Sequence, residues 1–196
     1  YQIILSNGLQ VLFKQLKNKS ISGFSLSTPI SQICETTSTI GHNFFCSSLL
    51  LYKTQKHSHQ ELQQFSRENG FNIRLIHHLD TTTFRGKCLS VNLKKALSML
   101  AEIIYLPNFD RNYLSLLTSA ALDEIRRDND FPVSYAYLNW YKMLVGNNSN
   151  LFRSSGNPSH IRSLHLKDIQ EWYEKWDIGK DFYLGIVGNH KPEEVL

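Results

Sequence analysis

The chain has 196 residues, 41% of them hydrophobic and 19% charged, with no low-complexity run, which fits a folded domain with a substantial core and excludes a disordered segment. Its 21 basic and 17 acidic side chains leave a formal charge of +4 spread along the whole length, so no dense Lys/Arg block points to nucleic acid or lipid. No apolar run approaches the ~20 residues of a membrane span and no charged-then-apolar leader opens the sequence; a soluble chain is expected, with its compartment open, periplasmic or cytoplasmic if bacterial.

Tyr1 to Leu5 and Leu9 to Phe13 are short β-prone runs joined by Ser6-Asn7-Gly8, a tight-hairpin signal. Ile21 to Ser27 alternates apolar and small residues as a half-buried strand does, and Pro29 ends it. After the polar stretch Ser31 to Thr39 comes an apolar segment of helical length, Gly41 to Thr54. Its Phe44, Phe45, Leu49, Leu50 and Leu51 form a surface too broad for a helix lying on open solvent. Ser58 and Glu61 make a capping-box pair for a short helix through Leu62 and Phe65, which Asn69-Gly70 ends.

Phe71 to Ile76 and Thr81 to Leu89 read as strands connected by His77-His78-Leu79-Asp80. From Asn92 the period lengthens, and Leu93, Ala96, Leu97, Leu100, Ile103 and Ile104 recur at helical spacing until Pro107. Asp110 caps a longer helix carrying Leu114, Leu117, Ala121 and Ile125. Pro132 to Val145 is a further helix with an aromatic face of Tyr135, Tyr137, Leu138 and Tyr141, closed by Gly146 and followed by a polar loop over 147–158. A helical turn at His160 to Leu164, an amphipathic helix from Leu166 to Trp176 and a buried strand from Phe182 to Val187 complete the chain. Strands first and last with helices grouped between them imply an α+β domain: a mixed, mainly antiparallel sheet with helices packed on one face. Cys34, Cys46 and Cys88 cannot all pair within one chain and match no zinc spacing, so buried thiols, or at most one bridge, are expected.

Several stretches, in order, resemble the amino-terminal half of the insulinase/pitrilysin family of inverted-zincin metallopeptidases. Gly41 to Thr54 lies on the pattern Gly-x-x-His-x-x-Glu-His...Gly-Thr, with Gly41 and Thr54 on its outer Gly and Thr. Leu5-Ser6-Asn7-Gly8-Leu9 resembles the opening hairpin, and Val91 to Phe109 the helix before the next metal-binding segment. Leu122-Asp123-Glu124-Ile125 resembles the stretch with the third ligand, and Gly156-Asn157-Pro158-Ser159-His160-Ile161 the Gly-Thr-Pro turn. Val187-Gly188-Asn189 with Pro192-Glu193-Glu194-Val195 resembles the domain's end. The resemblance implies the processing-peptidase, LuxS-like metallohydrolase fold. It also implies that residues 1–196 are a single amino-terminal domain, followed in the full protein by a similar carboxy-terminal one.

Active relatives hold zinc with two histidines and a distant glutamate, and use the glutamate between the histidines as general base on the metal-bound water. Carried over, these positions are Phe44 and Ser48 for the histidines, Ser47 for the base and Glu124 for the distant ligand, with Leu117 where a supporting glutamate is common. Phenylalanine has no donor and serine is a poor zinc ligand, so no catalytic residue, no bound metal and no other cofactor are expected, and Glu124 is a remnant. His42 has no His or Glu partner three or four residues on, and no His-x-x-Glu-His occurs anywhere in the chain.

Other candidates have plainer readings. His57-Ser58-His59 is a solvated helix start rather than a metal pair, and His77-His78-Asp80 a surface loop. Ser47 and Ser48 lack a base and the Gly-x-Ser-x-Gly elbow of a nucleophile. Asp123 and Glu124 belong to an exposed face pairing with Arg126 or Arg127, and Tyr135, Tyr137, Trp140 and Tyr141 to core or interface. The expected function is a pseudopeptidase that pairs with an active peptidase subunit, as a heterodimer, or with a second copy of the chain, and encloses or presents peptides. The alternatives are an active zinc peptidase with displaced ligands and a structural assembly module.

Overall fold

A computed structural model of the chain describes residues 1–145, 153–191 and 193. Asn7 and Gly8 turn the chain between β1 (Gln2–Ile4) and β2 (Gln10–Gln15), where the Asn7 side-chain oxygen accepts from the Leu9 N–H at 3.1 Å. With β3 (Ile21–Thr28), β4 (Phe71–His77), β5 (Thr82–Leu89) and β6 (Tyr183–Gly188) they form a six-stranded sheet of order β1-β2-β6-β3-β5-β4. Every neighbouring pair is antiparallel except β2 with β6.

Side chains alternate across a strand, and burial follows that period of two. Val11, Phe13, Phe24, Leu26, Phe84 and Ile186 are buried under the helices, while Leu12, Lys14, Arg85 and Lys87 are exposed on the opposite face. The fold is therefore α+β with its helices on one face of a mixed sheet. The run Phe182 to Val187 reads as a strand buried throughout, but only alternate residues of β6 are buried; Tyr183 and Val187 are 44% and 39% exposed because they point away from the helical layer.

The helices are α1 (His42–Leu50), α2 (His59–Glu68), α3 (Leu93–Tyr105), α4 (Arg111–Asp130), α5 (Pro132–Val145), α6 (Pro158–Ser163) and α7 (Leu166–Tyr173). Local chemistry sets several of their ends. Ser58 and Glu61 close a reciprocal capping box on α2, and the Asp110 carboxylate accepts from the Tyr113 N–H at 2.9 Å to start α4. Pro132 occupies the first position of α5, where its missing N–H costs nothing. On α3 the stripe Leu93, Ala96, Leu100, Ile103 and Ile104 is buried as its spacing predicts.

Four expectations need correction. α1 stops at Leu50, short of Thr54, because Lys53 and Gln55 spend their backbone groups on Asn108 and Leu106 in the α3–α4 connection. His77 belongs to β4, paired with Thr82, and is half-buried rather than in a surface loop. Cys46 and Cys88 are buried, but Cys34 is exposed at the end of a 3-10 turn, and all three are free thiols. Of the core or interface expected for Tyr135, Tyr137 and Trp140, core falls; they are 54%, 59% and 53% exposed on α5, a helix that packs against α4. The expected stop at Gly146 and the polar loop over 147–152 lie outside the described residues.

Candidate functional site

The segment that would carry metal chemistry is α1, wedged between the sheet, α4 and α7. It begins at Gly41, whose φ of 88° is left-handed and whose Cβ, were there one, would lie 2.7 Å from the Ser155 carbonyl oxygen. Gly156 answers from the other side, with φ of 85° and the Ile40 side chain 3.0 Å from where its Cβ would stand. The two glycine-bearing stretches, more than a hundred residues apart in sequence, are thus packed backbone to backbone at the helix entrance.

A buried carboxylate completes that entrance. Glu35 Oε2 accepts from the Gly41 N–H at 2.9 Å and Oε1 from the Asn43 N–H at 2.8 Å, satisfying donors that the first helical turn leaves open. Burial pushes the Glu35 carboxyl up to about 7, against the lowering effect of those two donors. Asn43 in turn donates to Thr82 Oγ1 at 2.8 Å and so fastens α1 to β5.

The positions inherited from the metal pattern have structural occupations. Phe44 is half-buried, its ring edge-on to Phe45 at 5.2 Å and 5.1 Å from the His77 imidazole. Ser47 is buried, and its hydroxyl donates back to the Asn43 carbonyl at 2.6 Å, a bond within the helix that leaves no proton poised for chemistry. Ser48 is half-buried one residue on, and Leu117 is half-buried on α4. Glu124 also lies on α4, the helix beside α1, with its side chain exposed, while the adjacent Asp123 pairs with Arg126 at 3.2 Å. A phenyl ring, a hydroxyl and one solvated carboxylate are not a zinc donor set, which needs three nitrogen, sulfur or carboxylate ligands converging on one point. Among the described residues no group of three His, Cys, Asp or Glu side chains is gathered to hold an ion.

Burial favours the neutral form of two histidines near the site, His77 and His42. Burial, reinforced by the neighbouring His78, lowers His77 to about 4, and its Nδ1 meets no hydrogen-bond partner among the described residues. Burial also lowers His42, against the raising pull of Asp168, and its ring lies 6.0 Å from that of Trp172. His57 and His59 point apart, as expected of a helix start: His57 Nδ1 meets Glu102 at 2.7 Å, whereas His59 Nδ1 meets the Tyr52 carbonyl at 3.1 Å. Burial disfavours the Glu102 carboxylate, but hydrogen bonds from Thr54 and His57 and the nearby charges of His57 and Lys56 outweigh it and hold Glu102 below the usual range.

Glu35 and His77 are the site residues that sequence reasoning missed. Capping rules look three residues ahead, and Glu35 reaches its partners from six and eight residues away. His77 is placed by the last rung of a strand pair, a feature that no local signal carries.

A family model described as Insulinase (Peptidase family M16) matches residues 10–139. An uncharacterized zinc protease of Rickettsia bellii is 22% identical over 194 residues, covering 98% of this chain and 47% of its own length. A solved peptidase M16 inactive domain from Pseudomonas fluorescens superposes with a TM-score of 0.90 at 16% identity over 99% of this chain and 47% of its own. A protease from Helicobacter pylori gives 0.87 at 19% identity, with 100% and 47% covered. The chain therefore spans about half the length of the relatives it matches.

Proposed function

The chain belongs to the insulinase family of peptidases, family M16, and on that premise we propose that it is a non-catalytic member that holds peptides for an active subunit to cut. The observation that carries this is the content of α1, where Phe44, Ser47 and Ser48 occupy the positions at which the family pattern calls for two zinc histidines and the general base. Without them no ion lowers the pKa of a water, and no carboxylate stands ready to take its proton.

Peptide holding needs none of those groups. β4 is an edge strand whose outward side pairs with no further strand among the described residues, and its last residue, His77, abuts Phe44. An extended peptide adding to that edge would gain main-chain hydrogen bonds next to the former ligand position. Relatives of twice this length support a second, similar domain or a partner subunit completing the enclosure.

The test is metal analysis of the purified protein together with a cleavage assay on a mixed peptide pool. Substoichiometric zinc, no turnover and measurable peptide retention are expected. One zinc per chain with chelator-sensitive turnover would overturn the proposal in favour of displaced ligands.

A further inference from the structure

The sheet face turned away from the helices has an order that the strand register makes explicit. One rung runs Leu12–Gly185–Ser25–Arg85–Arg74 from β2 to β4, and the next runs Lys14–Val187–Gly23–Lys87–Asn72. The middle strands β6 and β3 thus present mainly glycine and serine, while long side chains rise from the strands on either side. The result is a trough of about 570 Å³ floored by Gly23, Ser25 and Gly185. From β6 to β4 it spans three strand spacings, roughly 14 Å, enough for one extended chain with its side chains.

Its charge is one-sided. The six strands contain no Asp or Glu, whereas Arg74, Arg85, Lys87 and Lys14 stand exposed on this face. None of the four takes part in an ion pair among the described residues. Arg74 and Arg85 are direct cross-strand partners, an arrangement of like charges that works against sheet stability and is relieved by an anion between them.

We infer that this trough holds an extended peptide segment carrying carboxylates at alternate positions. Arg85 and Lys87 are two residues apart on β5, so their spacing is about 6.6–6.8 Å, the same as between alternate side chains of an extended peptide lying alongside. The β6 side, with the partly exposed Val187, suits the apolar residues between the acids. A nucleic acid is the poorer fit, because its bases need aromatic platforms and the two rungs supply none. The inference rests on the peptide-holding role proposed above and adds the chemistry of the peptide.

The experiment is fluorescence anisotropy with labelled peptides of about ten residues in which Val alternates with Glu, Ser or Lys, titrated with the full-length protein and with its R74E/R85E/K87E variant. The wild type is expected to bind the Glu peptide about tenfold or more tighter than the other two, with the difference shrinking as salt rises. The variant should invert the preference and take the Lys peptide, a positive signal that also shows it is folded. Equal binding of the Ser and Glu peptides, indifferent to the substitutions, would overturn this inference and leave the peptide-holding role standing. Binding of no peptide would overturn both. A labelled single-stranded oligonucleotide bound more tightly than the Glu peptide, or self-association abolished by the variant, would assign the face to nucleic acid or to a second copy instead.

Discussion

Glu35 and His77 both touch α1, and they respond to pH in opposite senses. Glu35 has a folded value of about 7 against an ordinary 4.5, so the folded state binds its proton more tightly; the resulting stabilisation is complete below 4.5 and gone once pH has risen through about 7. His77 has a folded value of about 4 against 6.5, so its neutral form is favoured by folding; that contribution is complete above 6.5 and lost as pH falls toward 4. Each shift corresponds to something on the order of 3 kcal/mol, and within the window from 4.5 to 6.5 the two oppose each other. Denaturant unfolding across that window should therefore show the Glu35→Gln variant gaining stability with rising pH relative to the wild type, and the His77→Phe variant losing it. Three parallel curves would show that neither group titrates as its burial requires.

Among the elements, α1 owes its position to backbone packing more than to any side chain its relatives use for chemistry. Gly41 sits at positive φ, with the Ser155 carbonyl oxygen where a Cβ would go, and that oxygen is main chain and cannot swing aside. Gly41→Ala is expected to cost about 2–4 kcal/mol, combining left-handed strain with the clash, and to lower the melting temperature by roughly 4–16 °C for a domain of this size. Calorimetry measures it, and a drop below about 2 °C would mean the entrance is looser than drawn. The same packing gives Gly41 a structural role: it lets α1 approach the turn before α6.

Over the molecule as a whole, α5 stands out among the described residues for its exposed apolar side chains. Trp140 is 53% exposed, Leu144 63% and Met143 85%, a concentration of apolar surface larger than scattered exposure explains. The chain's two methionines differ sharply, since Met99 lies in the core at 4% exposure. Mild peroxide should convert Met143 to the sulfoxide about tenfold or more faster than Met99, followed by mass spectrometry of peptides. A second domain or a partner seated on α5 would abolish the difference, so the same measurement on the complete protein or its complex reports what covers the helix.

Much of this protein was legible one residue at a time. The Asn7-Gly8 turn, the Ser58–Glu61 box, the Asp110 cap and the stripe on α3 depend on neighbours within a few positions, and period and capping chemistry therefore place them. The residues at the positions of the family's metal pattern were equally plain, because Phe44, Ser47 and Ser48 are identities rather than geometries. Tertiary structure alone decided the rest: that Glu35 seals α1, that His77 closes on Phe44, that Trp140, Met143 and Leu144 of α5 are exposed among the described residues, and that cations from β4 and β5 line one trough. Those juxtapositions arise from strand register and helix docking between residues tens of positions apart, and burial, which sets their charge states, exists only once the layers have come together.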